Sequence, residues 1–276
     1  IPDNISSIKY LGLIFCIGTV FGSFFTLAVY RIPLRQDITH TRSYCPKCNH
    51  KLSFFDMIPI LSYCFLGGKC RYCKEKIRPR YLMLEILSGI VFLLFAVSIK
   101  LNIFNLNVQV LAYLVMGLLY ISTLFIIAGI DKENIKIEKP VLLFGFICVT
   151  IYIIYLYLIE HDSSIYRYVI YYTLIGILML FNTLYLRKKS KDSYSIDMLI
   201  LIIFMLMYTY EVVCIATITM TLVAIAIQLI VKKLVKREIK SVKTDSKDVS
   251  KIPIGFYLCA SNIISLIVTN LYIFYR

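Results

Sequence analysis

The chain has 276 residues, 59% of them hydrophobic, and its mean hydropathy is +0.79. This composition excludes a water-soluble globular protein and indicates a membrane protein. The formal net charge of +14 would suit a nucleic-acid-binding protein, but no basic groove with interleaved aromatic residues and no known nucleic-acid-binding motif accompanies it. We therefore expect no nucleic-acid partner.

Apolar segments long enough to cross a bilayer, about 20 residues each, recur along the chain. They predict eight transmembrane helices, at roughly 10–30, 81–99, 108–130, 140–159, 165–186, 196–210, 212–231 and 253–275. The sixth is short, and it is separated from the seventh only near Glu211. The prediction is an all-α polytopic membrane protein with a first transmembrane helix at 1–30, a small module at 31–80 and a seven-helix membrane domain at 81–276.

Two cysteine pairs lie in the polar module at 31–80. They are Cys45-Pro-Lys-Cys48 and Cys70-Arg-Tyr-Cys73. Two C-x-x-C pairs at this separation are typical of a structural zinc site with four thiolate ligands. Redox chemistry of the pairs is the alternative. His50 is an alternative ligand, although four thiolates already complete a tetrahedral site.

The distribution of basic residues predicts which side of the membrane each loop faces. Four segments, 31–80, 131–139, 187–193 and 232–251, hold 26 of the 30 lysines and arginines. Basic loops stay in the cytosol. The cysteine module is therefore expected in the cytosol, with both termini on the outer side. The basic run at 232–251 would also attract anionic membrane lipid.

Ionisable groups inside or at the edge of a transmembrane helix are energetically expensive and often functional. Asp131 ends the third predicted span and Asp197 begins the sixth, both on the cytosolic side. If the two carboxyl groups share a site, one stays protonated while the other is ionised, as aspartyl peptide hydrolysis requires. The alternative is that each is a helix cap or an interfacial charge. Glu85 and Glu211 are two further carboxylates near span ends.

Several motifs resemble those of the type IV prepilin peptidases. They are Gly22-Ser-Phe-Phe-Thr-Leu-Ala-Val-Tyr-Arg31, Arg42-Ser-Tyr-Cys-Pro-Lys-Cys48, Asp56-Met-Ile-Pro-Ile-Leu-Ser-Tyr63, Gly68-Lys-Cys-Arg-Tyr-Cys73 and Arg80-Tyr-Leu-Met-Leu-Glu85. The resemblance is specific in this N-terminal block. Behind it, the similarity is confined to the span layout, Asp131 and Ile252-Pro-Ile-Gly255.

The resemblance implies a bifunctional enzyme of the bacterial cytoplasmic membrane, in the GxGD class of intramembrane aspartyl proteases. Such an enzyme cuts the basic leader from type IV prepilins or pseudopilins after a glycine, on the cytosolic side. It then usually methylates the new N-terminal amine with S-adenosylmethionine. By this resemblance Asp131 and Asp197 are the catalytic aspartates, the four paired cysteines bind zinc, and Gly68 belongs to the region linked to methylation and its cofactor.

The chain also departs from the family pattern. The GxGD motif reads Tyr194-Ser-Ile-Asp197, without either glycine, and Asp192 is a rival for the second aspartate. A tyrosine and an isoleucine in these places are expected to narrow or reshape the site. The alternative function is a catalytically degenerate membrane protein that binds prepilins or supports their assembly. An enzyme that only methylates, and a transporter with a carboxylate relay, are further hypotheses.

Overall fold

The computed structural model describes residues 2–38, 42–45, 47–101, 107–159, 165–186, 194–239 and 252–276. Within these ranges the chain is helical, and its extended pairing is limited to two isolated β-bridges. The helices are α1 (Pro2–Arg31), α2 (Leu61–Phe65), α3 (Arg80–Ser98), α4 (Val108–Asn134), α5 (Lys139–Ile159), α6 (Ile165–Phe181), α7 (Tyr194–Tyr208), α8 (Glu211–Ile239) and α9 (Ile254–Tyr275). The predicted all-α fold is confirmed.

Seven helices in the described part of the chain are long and apolar enough to cross a membrane: α1, α3, α4, α5, α6, α8 and α9. The predicted sixth span corresponds to α7, which is apolar but has only 15 residues. At 1.5 Å per residue it is about 22 Å long, shorter than a hydrocarbon core of about 30 Å. Thr209 and Tyr210 are not helical and separate α7 from α8, which begins at Glu211.

The chain folds into two compact units. Unit 1 contains Ile1–Leu118 and Asn270–Arg276. Its helices α1 and α3 pack closely because small residues face each other. The Ser88 hydroxyl of α3 donates a hydrogen bond to the Gly18 carbonyl of α1 over 2.8 Å. A Cβ atom at Gly18 would lie 2.8 Å from the Gly89 Cα atom, so the two backbones leave no room for a side chain.

This close contact predicts a position-specific effect of a single methyl group. We expect Gly18→Ala to lower the melting temperature in detergent by several degrees, because overpacking against backbone costs about 1–3 kcal/mol. Gly12→Ala is the matched control on the same helix, since a Cβ atom at Gly12 has no heavy atom within 4 Å. Thermal unfolding of the three purified proteins measures the difference. Equal losses in both variants would contradict this account of the α1–α3 interface.

Unit 2 comprises Leu119–Thr269 and has an aromatic and polar core. The Tyr120 ring of α4 stacks on Tyr208 of α7 with a centroid distance of 4.3 Å. Its hydroxyl donates to the Asn262 side chain of α9 over 2.7 Å, and that amide donates to the Thr217 hydroxyl of α8 over 3.1 Å. All four side chains are buried, so these bonds satisfy polar groups that water does not reach. The two hydrogen bonds and the ring stack together connect four helices, α4, α7, α8 and α9.

Candidate functional site

The first cysteine pair lies in a turn described at residues 44–45 and 47–51, called here the first knuckle. The Cys45 N–H donates to the His50 carbonyl over 3.0 Å, and the Asn49 N–H donates to the Cys45 carbonyl over 2.8 Å. A β-bridge joins Tyr44 and Lys51. Asn49 has a φ of 55°, a left-handed conformation that asparagine tolerates better than most residues. Local backbone bonds thus set the geometry of this pair.

The second pair lies in an equivalent turn, residues 69–76, called here the second knuckle. The Cys70 N–H donates to the Glu75 carbonyl over 2.8 Å, and the Lys74 N–H donates to the Cys70 carbonyl over 3.1 Å. A β-bridge joins Lys69 and Lys76, and Lys74 has a φ of 59°. Each feature has its counterpart in the first knuckle. The module therefore repeats one structural unit, of which the sequence displays only the two C-x-x-C pairs.

The two knuckles bring the four predicted metal ligands together. The Sγ atoms of Cys45, Cys48, Cys70 and Cys73 all lie within 4.8 Å of one another, and those of Cys45 and Cys73 are 3.8 Å apart. A disulfide would require about 2.05 Å. Sulfurs placed tetrahedrally about 2.3 Å from one zinc ion would lie about 3.8 Å apart. The cluster can hold a metal ion, and its geometry and donor set are compatible with zinc.

The thiols also differ in their acidity. Burial acts to raise the pKa of Cys45, but the backbone N–H groups of Cys48 and Lys47 outweigh it and lower the pKa to about 7. For Cys73 the Glu75 backbone acts to lower the pKa, whereas burial and the neighbouring thiols raise it to about 11. One thiolate therefore forms near neutral pH, and a thiolate is the form that binds metal.

Two other residues singled out in the module have structural partners there. The His50 ring packs on Tyr72 with centroids 3.6 Å apart, so it links the two knuckles and lies outside the four-sulfur cluster. Gly68 has a φ of 67°, and a Cβ atom there would lie 2.9 Å from the Tyr63 hydroxyl. Its carbonyl accepts a hydrogen bond from the Ile77 N–H over 2.7 Å. Both the conformation and the space at this position require glycine.

The Asp56 carboxylate links the 3-10 turn Phe54–Met57 to the second knuckle. It accepts hydrogen bonds from the Ser53 hydroxyl over 2.7 Å and from the Arg71 Nε atom over 2.6 Å. Burial acts to raise its pKa, but the bonds from Ser53 and Arg71 outweigh burial and lower it. Asp56 therefore stays ionised at neutral pH and holds the module together.

Glu85 of α3 stabilises a strained turn in the module. Its Oε2 atom accepts a hydrogen bond from the Ile60 N–H over 2.8 Å. Ile60 has φ 62° and ψ −54°, and the Leu61 N–H donates to the Pro59 carbonyl over 2.6 Å, which makes a γ-turn centred on a β-branched residue. Such a conformation costs about 1–3 kcal/mol. The sequence contains no local sign of it, because neither glycine nor asparagine occupies the position.

In unit 2, Asp131 lies near the end of α4 and is fully buried. Its Oδ1 atom accepts a hydrogen bond from the Tyr194 hydroxyl of α7 over 2.8 Å. Its Oδ2 atom accepts one from the Phe256 N–H over 2.9 Å, in the first turn of α9. A Cβ atom at Gly255 would lie 3.0 Å from this same oxygen. Glycine at 255 therefore lets Asp131 reach the α9 N-terminus, where unpaired N–H groups favour an anion.

Asp197 lies in the first turn of α7 and is only 9% exposed. It follows Tyr194 by three residues, so both side chains lie on the same side of the helix. The Tyr194 bond thus holds the first turn of α7, with Asp197, against Asp131. The rival residue, Asp192, lies outside the described residues. Tyr194 was expected only to reshape the site, and its bond to Asp131 carried no sequence signal.

Comparison with known proteins finds similarity to one family, strongest in the N-terminal part of the chain. Residues 16–99 match the model of the bacterial peptidase A24 N-terminal domain. A prepilin leader peptidase/N-methyltransferase of Vibrio cholerae serotype O1 is 41% identical over 85 residues, covering 28% of this chain and 34% of the relative. This N-terminal part is similar to the type IV prepilin peptidases. The relative of that name from Klebsiella pneumoniae is 32% identical over 142 residues, covering 49% of this chain and 58% of the relative.

A third prepilin leader peptidase/N-methyltransferase, from Bacillus subtilis, is 34% identical over 134 residues and covers 49% of this chain. The chain spans about a third to somewhat over half of these prepilin peptidases, between 34% and 58% of their length. No solved structure matches it. The A24 domain model includes the four cysteines, Gly68 and Glu85, and it ends before Asp131. The match to the domain model therefore carries no information about Asp131 and Asp197.

Proposed function

We propose that the chain is an intramembrane aspartyl endopeptidase that processes type IV prepilins or pseudopilins. It hydrolyses the peptide bond after a glycine and so removes the basic leader on the cytosolic side of the membrane. The observation that carries this proposal is the fully buried Asp131, hydrogen-bonded to the first turn of the helix that carries Asp197. The prepilin leader peptidase names of its relatives support the substrate class.

In this proposal Asp131 and Asp197 divide the two proton transfers of peptide hydrolysis. One carboxylate takes a proton from water as the water oxygen bonds to the carbonyl carbon of the scissile glycine. The other carboxyl group gives its proton to the peptide nitrogen as the C–N bond breaks. The leader leaves with a new carboxylate, and the pilin keeps a new N-terminal amine. The pair must therefore hold one proton between them at the working pH.

The burial of both aspartates supports a catalytic role over a purely structural one. Asp131 is fully buried and Asp197 is 9% exposed, and each adjoins a long apolar stretch of its helix. Carboxyl groups in such surroundings are expensive, and in membrane helices they mark functional sites more often than packing positions. Burial also limits bulk water near the pair, which strengthens the electrostatic interactions on which acid–base catalysis depends.

The four-cysteine cluster is proposed to be a structural zinc site in the cytosol. The ion would be held by Cys45, Cys48, Cys70 and Cys73 and would cross-link the two knuckles. Four protein ligands would leave it no open coordination position for catalysis. The proposed organisation keeps a first transmembrane helix at 1–30, the zinc module at 31–80 and the membrane domain at 81–276. The bacterial cytoplasmic membrane, with both termini outside and anionic lipid around the basic loops, completes the proposed topology.

Methylation of the new N-terminal amine is the second proposed activity, with S-adenosylmethionine as the methyl donor. Its support is the N-methyltransferase part of the relatives' names. Gly68 is proposed to belong to the region that serves this step. Its left-handed backbone and its contact with Tyr63 would shape that region and need not touch the cofactor itself.

Co-expression with a candidate prepilin tests both activities. The pilin N-terminus is read by intact mass in cells with the chain and in cells without it. Loss of the leader only when the chain is present is the expected result, and one added methyl group would establish methylation. A pilin that keeps its leader but co-purifies with the chain would contradict the proposed protease activity.

That last outcome would favour the second candidate function, a degenerate prepilin-binding or assembly protein. A specific observation supports it. Both oxygens of Asp131 already accept hydrogen bonds, and Tyr194 occupies the place of the first motif glycine. In this alternative Asp131 joins α4, α7 and α9 as a structural element only.

A further inference from the structure

The tyrosine that replaces the first glycine of the GxGD motif directly contacts the candidate catalytic pair. The Tyr194 hydroxyl lies 2.8 Å from Asp131 Oδ1. The Gly255 N–H points at the same hydroxyl oxygen over 3.4 Å. A hydroxyl that accepts from one partner directs its single hydrogen to the other. Tyr194 therefore donates to Asp131.

We propose that Tyr194 is a positioning residue that keeps Asp131 ionised, which makes Asp131 the base that activates water and Asp197 the acid that protonates the leaving amine. This inference rests on the proposed protease function and adds the assignment of the two roles. It also assigns a function to the altered motif, because the residue that replaces its first glycine donates a hydrogen bond to Asp131. A degenerate motif of this kind is compatible with an active enzyme.

The partners of Asp131 support the assignment. Each of its two oxygens faces a donor, the Tyr194 hydroxyl at Oδ1 and the Phe256 N–H at Oδ2. An ionised carboxylate only accepts, whereas a protonated one would turn a hydrogen toward one of these donors. The first turn of α9 adds the positive end of the helix dipole. In this proposal the proton that the pair shares is therefore held by Asp197.

Burial of the Asp131 carboxyl disfavours its charged form, and the two donors and the N-terminus of α9 act against that cost. Lys132, the next residue of α4, has its Nζ atom 4.7 Å from the centroid of the Phe256 ring, and its positive charge favours an anion nearby. Cys259 of α9 is fully buried and interacts electrostatically with Asp131. As a neutral thiol it adds no charge at the working pH. On α7, Tyr194 bonds to Asp131, and Asp197 is a second titratable group in the same first turn.

The test is the pH profile of prepilin cleavage by the full-length chain in detergent, measured for wild type and Tyr194→Phe. Removal of the hydroxyl leaves the ionised Asp131 with one donor fewer. We expect the midpoint of the acid limb to lie about one pH unit higher in Tyr194→Phe than in the wild type. At pH values below that midpoint the variant should therefore cleave about tenfold more slowly than the wild type. Near the alkaline plateau the rates should agree within about twofold.

Tyr120→Phe is the matched control. It removes a buried tyrosine hydroxyl that bonds to a side chain in the same unit, the Tyr120–Asn262 pair at 2.7 Å. It lies eleven residues before Asp131 on α4, about 16 Å away along the helix axis. A merely structural effect lowers the rate equally at all pH values and lowers the melting temperature, and Tyr120→Phe is expected to do only this.

Should Tyr194→Phe fail to fold, Tyr194→Gly carries the same expectation, because it restores the motif glycine and also lacks the hydroxyl. A variant profile that superimposes on that of the wild type would overturn the role of Tyr194 while leaving the protease intact. A wild-type chain that cuts no prepilin at any pH would overturn the proposed function, and this inference with it.

Discussion

Replacing either Asp131 or Asp197 with asparagine is expected to stop leader cleavage. Each substitution preserves side-chain shape but removes one of the two groups that transfer protons. Loss of positioned acid–base catalysis lowers a rate by about 10²–10⁴-fold for each group. Purified variants and a prepilin substrate in detergent, with the leader followed by mass spectrometry, measure the loss.

The two substitutions should differ in their effect on stability. The Asp131 carboxylate accepts from two donors, the Tyr194 hydroxyl and the Phe256 N–H. In the Asp131→Asn protein the carbonyl oxygen of the new side chain can accept from only one of them, and its NH₂ group faces the other. This mismatch is expected to cost about 1–3 kcal/mol of stability. Asp197→Asn should melt closer to the wild type. Glu133→Gln is the control, since it removes an exposed carboxylate from the same turn as Asp131. Wild-type cleavage by the Asp197→Asn protein would refute the assignment of Asp197.

Cys70→Ser is expected to lose its metal and much of its stability. Serine does not supply the thiolate that zinc requires, and a closed four-ligand site tolerates no missing ligand. Because metal binding and folding are coupled in such modules, the cysteine module should unfold at a lower temperature. Zinc content per chain by elemental mass spectrometry and the melting temperature in detergent are the two measurements. We expect about one zinc per wild-type chain and far less in the variant.

Cys64→Ser provides the matched control for this experiment. Cys64 lies in the same module and is exposed, and it is not part of the four-sulfur cluster. Its substitution should leave both the zinc content and the melting temperature unchanged. A Cys70→Ser protein with full zinc content would show that the four thiolates do not form the site.

The membrane architecture was predictable because a bilayer permits few solutions. Every backbone polar group must be paired inside the hydrocarbon region, so a long apolar run becomes a helix. The hydropathy of the chain therefore located the seven long helices of the described residues, and it also predicted a transmembrane span at α7, whose 15 residues are short for one. Helix ends were less predictable. α8 continues to Ile239, beyond its predicted end at 231, because charged residues such as Lys232 and Lys233 remain good helix formers outside the apolar stretch.

The metal cluster was predictable for a similar reason, since its geometry is local. Each C-x-x-C pair forms its own hydrogen-bonded knuckle, and one tetrahedral ion has places for two pairs. The γ-turn at Ile60 was not predictable. It depends on Glu85, 25 residues later, whose carboxylate accepts the Ile60 N–H.

Residue chemistry and spacing were thus sufficient to predict a helical membrane protein, four clustered cysteines that could hold a metal ion and two candidate catalytic aspartates. They contained nothing about the partners of Asp131. Tyr194 is 63 residues from Asp131 and Phe256 is 125 residues from it, yet both donate to its carboxylate. Such contacts depend on how the ends of α4, α7 and α9 pack in three dimensions. Hydrophobic periodicity specifies each helix separately and carries no information about which helix ends meet.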